Sequence, residues 1–233
     1  MVKPLIQWTW DVGRMVKEAE AVYVATDDDR IADVARDFGA DVIMTSESCR
    51  NGTERCADAI QRAGLSPDLV INLQGDAPLT PPWFISELAR AMDETPELDA
   101  ATPVLRCDRA TLKNFLDDRR EGRVGGTTAV FDEAMDALYF SKEVIPHFGE
   151  RVFPDDLSVP VFHHVGIYAY RPHALIAYSN WREGQLETLE GLEQLRFLEN
   201  GARLKCVEVD ARGRVFWELN NPADIARIEK VLE

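Results

Sequence analysis

The sequence predicts an α/β fold, with a mostly parallel central sheet flanked by helices. Short aliphatic runs alternate with amphipathic stretches through the first 95 residues. Those runs, AVYVATD, DVIMT and LVINLQGD, are apolar on both faces, as strands covered by helices on two sides must be. Acids at its start and a glycine stop mark DDRIADVARDFG, and a glycine stop closes GTERCADAIQRAG.

The elements follow in order. Leu5, Trp8, Val12, Met15, Val16 and Ala19 have helical spacing, with Pro4 tolerated in the first turn. AVYVATD is then a strand. DDRIADVARDFG is a helix in which Ile31, Val34, Ala35 and Phe38 are expected to share the buried face, with Gly39 as its stop. DVIMT, a helix closed by Gly64, and the strand LVINLQGD come next, followed by a helix over TPPWFISELARAM with Thr80 as its N-cap. From about residue 100 to 170 the rhythm breaks into ATPVLR, GGTTAVF, ALYFS and HHVGIYAY, strands with little helix between them apart from 109–117. This is an antiparallel or mixed excursion suited to a lid or a subunit contact. RPHALIAYSN and QLETLEGLEQLRFLENG return to helix, RLKCVEVD is a late strand, and NPADIARIEKVLE is a terminal helix capped by Asn221. No repeat or linker divides the chain, so residues 1–233 read as a single domain with that subregion embedded.

Composition excludes several functions. With 41 acidic against 26 basic residues and a net charge of −15, the chain is no general nucleic-acid binder. No apolar run approaches a membrane span, and the amphipathic, acid-containing N-terminus is not a signal peptide. Cys49, Cys56, Cys107 and Cys206 lack metal-ligand spacing, which fits reduced thiols in a cytoplasmic protein. HExxH, GxSxG and Walker sequences are absent.

In an α/β sheet, ligands gather at the carboxyl ends of strands. INLQGDAP delivers Gln74, Gly75 and Asp76 to such an end. Gly75 lets the backbone approach a ligand, and Asp76 offers a hard oxygen to Mg²⁺, although an Asp in a turn reads the same way. Gly52, Thr53 and Arg55 open a helix where a phosphate or base edge can sit, or simply form its capped first turn. His163 and His164 are adjacent and face opposite sides of a strand. Glu193 and Gln194 interrupt an apolar helix, where they either grip sugar hydroxyls or form a solvated edge.

VATDDDRI, NGTER, INLQGDAP, ALYFSKEVIP, HHVGIYAYR and LEGLEQLRFLENG occur in an order that resembles the 3-deoxy-manno-octulosonate (Kdo) cytidylyltransferases, from about residue 3 to the end. The resemblance implies a nucleotide-diphospho-sugar-transferase-like fold, usually a homodimer, in lipopolysaccharide assembly. Its reaction transfers CMP from CTP to the anomeric hydroxyl of the sugar acid with Mg²⁺ and releases pyrophosphate. By resemblance, Gly52, Thr53 and Arg55 lie at the cytidine end, Gln74 near the nucleotide and Asp76 on Mg²⁺. His164, Tyr168, Glu193 and Gln194 would meet the sugar acid, with Ser141 and Lys142 near its carboxylate.

The departures from the family pattern are specific. VKPLI aligns with the segment after the family's first strand and basic phosphate loop, so both are expected to be missing from this chain. The family's second metal Asp falls at Asn220, a strand Lys at Thr128, an Arg at Lys142, and the Glu beside the metal Asp at Ala77. These changes cluster around the metal and the acid. They leave room for a nonulosonic (sialic-like) acid as substrate, or for a homologue that binds nucleotide or sugar without turnover.

Overall fold

Two sheets carry the chain. The computed structural model describes residues 3–124, 126–148 and 159–214, with residues 216, 219, 225, 228, 229 and 231 beyond them. α1 (Leu5–Met15) precedes a parallel pair, β1 (Tyr23–Thr26) and β2 (Asp41–Met44), linked by α2 (Asp29–Asp37). α3 (Gly52–Arg62) leads to β3 (Val70–Leu73), and α4 (Pro82–Glu94) to β4 (Ala100–Arg106). α5 (Arg109–Arg120), β5 (Thr127–Phe131), β6 (Ala137–Ser141), β7 (Phe162–His164) and β8 (Ile167–Tyr170) follow. α6 (Pro172–Asn180), α7 (Gln185–Glu190), α8 (Leu195–Glu199) and β9 (Leu204–Val209) complete the named elements.

The α/β architecture is as expected, but the pairing is not mostly parallel. Among the described residues of the seven-stranded sheet, only β4 and β9 pair in parallel; β3–β8, β4–β7, β4–β8, β5–β6 and β5–β7 are antiparallel. HHVGIYAY is two strands, β7 and β8, lying end to end along one side of β4. On their other side β3 pairs with β8 and β5 pairs with β7, so the sheet forks at Val165–Gly166. Leu73, at the end of β3, faces Ile167, and Thr127, at the start of β5, faces His164. A carboxyl end and an amino end of two strands therefore meet at the fork. β1–β2 stands apart from this sheet, with α3 packed on β1, β2 and β3.

Several helix expectations shift for reasons of packing. α2 buries Ala32 and Ala35, whereas Ile31 and Val34 are exposed, because only small side chains fit where the helix lies close to β1 and β2. The N-cap of α4 is Pro81, and Thr80 is buried with its hydroxyl unpartnered. QLETLEGLEQLRFLENG is not one helix: Gly191, at φ 61°, ends α7 in the left-handed region and α8 starts afresh at Leu195. Apolar residues from α1 and α4 cover one face of the large sheet around Leu88, Met92 and Ile167. Tyr170, Tyr178, Leu195 and Phe197 build a second core. No helix of the described residues is long and apolar enough to cross a membrane. Residues 225, 228, 229 and 231 are helical, as the terminal pattern predicts, while its Asn221 cap lies outside the described residues.

Candidate active site

At the fork lies a cavity of about 570 Å³. Gln74 reaches it from β3, Gly126 and Thr127 from β5, Lys142 from the end of β6, and His164 and Tyr168 from β7 and β8. Glu193 and Gln194 enter from the α7–α8 turn. Six residues picked from the sequence, Gln74, Lys142, His164, Tyr168, Glu193 and Gln194, thus share one wall.

The break at Gly191 puts Glu193 and Gln194 there. Glu193 is half-buried: its carboxylate accepts from the Thr53 backbone N–H at 2.8 Å and from Gln74 Nε2 at 2.9 Å. Burial pushes its carboxyl up, against the lowering pull of those donors. Glu193 therefore ties β3 to the start of α3. Gln194 accepts from the Tyr168 hydroxyl at 3.1 Å, while its Nε2 has no protein partner. That amide donor is buried beside the cavity and unsatisfied by the described residues. Tyr168 continues into the core as a ladder of rings, stacked on Tyr170 at 5.7 Å, which stacks on Phe197 at 5.7 Å.

Behind this turn sits a buried ion-pair cluster that the sequence did not reveal. Arg196 is fully enclosed, donates to both oxygens of Glu187 at 2.6 Å, and reaches Glu54 at 2.9 Å. Its guanidinium lies 4.2 Å from the Tyr178 ring centroid. Glu54 also takes Arg50, through the backbone N–H at 2.8 Å and the guanidinium. Burial opposes ionisation of Glu54, but the bonds from Arg50 and Arg196 outweigh it and bring the carboxyl down to about 2. Nine residues separate Glu187 from Arg196, so neither helical nor strand periodicity announces the pair.

Glu190 was also missed. It accepts from Ser141 Oγ at 2.7 Å and from the Lys142 backbone N–H at 2.9 Å, clamping the end of β6. Ser141 is thereby committed to protein. Lys142 differs: a Cβ on Gly191 would stand 2.8 Å from its Nζ, so the ammonium lies over bare backbone. Among the described residues, Arg50 and Arg196 on the cavity wall pair with carboxylates, and Lys142 Nζ does not.

The remaining predicted residues that are described lie outside the wall. Thr53 is buried, with its hydroxyl against the Tyr170 hydroxyl at 2.7 Å, so it joins the core rather than presenting to the cavity. Gly52 earns its place by close approach, since a Cβ there would meet Asn72 Nδ2 at 2.8 Å. Arg55 bonds Thr45 at 2.6 Å and Asp27 at 3.2 Å, beyond the ends of β1 and β2. The Gly75 carbonyl accepts from Thr9 at 3.2 Å, and Ala77 is fully buried. Asp76 is half-buried; desolvation raises its carboxyl, and no basic side chain pairs with it among the described residues. The Leu219 N–H donates to the Asp76 carbonyl at 2.9 Å, while Asn220 lies outside the described residues.

Comparison with known proteins gives the family. Residues 1–206 match the family described as Cytidylyltransferase. A 3-deoxy-manno-octulosonate cytidylyltransferase from Maricaulis maris is 42% identical over 98% of this chain and 86% of its own. An 8-amino-3,8-dideoxy-manno-octulosonate cytidylyltransferase from Shewanella amazonensis is 41% identical over 99% and 89%. A solved structure of CMP:2-keto-3-deoxy-manno-octonic acid synthetase complexed with CTP superposes with a TM-score of 0.80 at 30% identity, covering 99% of this chain and 88% of that one. The matches span nearly the whole chain. The chain belongs to the cytidylyltransferase family that contains the 3-deoxy-manno-octulosonate cytidylyltransferases.

Proposed function

We propose that this chain transfers CMP from CTP to the anomeric hydroxyl of a 3-deoxy-ulosonic acid, Kdo or a relative, and releases pyrophosphate. The observation that carries this reading is Lys142, an ammonium without a carboxylate partner on the cavity wall of a protein with net charge −15. A sugar acid brings the missing carboxylate, and Gln194 Nε2 supplies a donor for its oxygens. In the reaction the hydroxyl oxygen bonds to the α-phosphorus of CTP, the bond from that phosphorus to pyrophosphate breaks, and the hydroxyl proton departs. Such a step gains most from positioning and from neutralising charge. Gln74 and Asn51 stand at the nucleotide end of the cavity in this reading.

Asp76 fits Mg²⁺ carried in with the triphosphate. It is a desolvated carboxylate without a protein cation, and Mg²⁺ commonly takes one or two carboxylates together with substrate phosphates. When bound there, the ion supplies positive charge to the phosphates. Two sugar acids remain in view, because relatives named for the 3-deoxy and the 8-amino-3,8-dideoxy acids match at 42% and 41% identity. The same reading, by the family resemblance, includes cytoplasmic service to lipopolysaccharide assembly as a homodimer; for the homodimer alone, β6 is an end strand of the sheet whose Leu138 is 62% exposed.

The test is pyrophosphate release from CTP and Mg²⁺ with Kdo, its 8-amino analogue and a nonulosonic acid. We expect turnover with one of the first two, and a roughly 10²- to 10³-fold loss in Asp76→Asn. Silence with every acid in a folded protein overturns the proposal and leaves a binding homologue. Near-normal turnover of Asp76→Asn removes the metal assignment.

A further inference from the structure

Thr102 lies on β4 at the junction where β7 ends and β8 begins, and it is completely buried. The chain crosses that junction in a tight turn: the Val165 N–H donates to Pro103 O at 3.0 Å, and the Ile167 N–H to Val165 O at 2.7 Å. The turn aims two carbonyls at the Thr102 hydroxyl, Ile167 O at 2.8 Å and Val165 O at 3.3 Å. His164 Nε2 stands 2.9 Å from the same oxygen.

A hydroxyl has one proton to give. Carbonyl oxygens cannot donate, so a 2.8 Å contact between Oγ1 and Ile167 O is attractive only if that proton lies between them. Thr102 Oγ1 is then an acceptor towards His164, and the proton in that contact belongs to His164 Nε2. The other ring nitrogen, Nδ1, carries a lone pair and has no protein partner among the described residues, in a side chain that lines the cavity.

We propose that Thr102 is a positioning residue that holds His164 in its Nε2–H tautomer, so that the ring shows the cavity a hydrogen-bond acceptor and favours a ligand carrying a hydroxyl at that point. Burial supports this by holding the His164 imidazole down to about 3, with neighbouring His163 acting in the same direction, so the ring stays neutral. The wall then offers complementary functions. Gln194 Nε2 donates and Lys142 is cationic, while His164 Nδ1 accepts. An acid with free hydroxyls satisfies all three, whereas an acid with an alkoxy group facing His164 does not. That the hydroxyl belongs to a sugar acid rests on the function proposed above; the tautomer does not.

The test has two parts on the full chain. Nitrogen-15 NMR of the histidine rings, with the His164 signal assigned by its loss in His164→Gln, reads the tautomer directly. We expect Nε2–H across about pH 5 to 8. Steady-state kinetics then compare Thr102→Val and Thr102→Ser. Valine removes the acceptor at nearly constant volume. It should release the ring to a mixture of tautomers and raise KM for the sugar acid about tenfold, leaving KM for CTP and kcat in place. Serine keeps the hydroxyl and should restore both tautomer and KM. An Nδ1–H ring in the unsubstituted protein overturns the proposal whether or not Thr102→Val folds. So does a folded Thr102→Val protein whose tautomer or sugar-acid KM is unchanged. If the unsubstituted protein turns over no acid, the function above fails while the spectrum still decides the tautomer.

Discussion

Lys142 is held by what surrounds its backbone rather than by a partner for its charge. Glu190 fixes Ser141 Oγ and the Lys142 N–H, and the ammonium projects over Gly191. Lys142→Met keeps the length and removes the charge. A charge-assisted hydrogen bond is worth about 1.5–3 kcal/mol, so KM for the sugar acid should rise roughly 10- to 100-fold with thermal stability unchanged. Parallel kinetics and melting curves check this; an unaltered KM would place the carboxylate elsewhere. At this scale the sequence was informative where the side chain itself meets the cavity, as for Gln74, His164 and Gln194. It was not informative where a residue acts through a partner far along the chain. Thr53, read as a ligand contact, gives its N–H to Glu193 and shares a hydrogen bond between its hydroxyl and that of Tyr170, 140 and 117 positions away.

The element that makes the site is the turn between α7 and α8. Apolar spacing from Leu186 to Leu198 reads as one helix, because periodicity is blind to a single residue in the left-handed region. Gly191 is the visible signal, a glycine inside a helical pattern. Without the break, Glu193 and Gln194 would continue the α7 helix instead of occupying a turn at the fork. Gly191→Ala strains this turn twice. Its φ of 61° costs a non-glycine residue about 1–2 kcal/mol. The added Cβ also meets Lys142 Nζ at 2.8 Å, which displaces the cation. The variant should melt several degrees lower and show a raised sugar-acid KM together. Loss of stability with an unchanged KM would separate the turn from the site. The fork in the sheet was equally illegible, since pairing of β7 and β8 with different partners is decided by register across the sheet.

Across the whole molecule, buried titratable groups set the response to acid. Burial lowers His163 to about 4 and His164 to about 3, from 6.5. Below about pH 6.5 the unfolded chain gains two protons that the folded chain refuses, so stability falls as pH drops from there towards 4. Glu54 adds a second window. Held at about 2 against 4.5, it stabilises above the unfolded value and loses that contribution as pH falls from 4.5 to 2. Denaturant unfolding should therefore give stability that falls steadily from pH 7 to pH 4. His163→Leu should remove about half of that slope, because His163 Nε2 has no partner and its ring is packed among Phe115 and Phe216. A flat profile from pH 7 to 4 would mean the two rings are hydrated in solution.

Local chemistry along the chain was enough to establish the alternation of strands and helices and the glycine stops at Gly39 and Gly64. Each depends on neighbours within a few residues. Motif order was enough to establish the family, because six short segments in sequence carry more information than any one of them. Tertiary structure alone decided the antiparallel pairings, the burial of Thr53, the cluster of Arg196 with Glu187 and Glu54, and the tautomer of His164. Those depend on contacts between segments far apart in the chain, where hydrogen-bond direction and charge pairing arise only once the fold has brought the groups together.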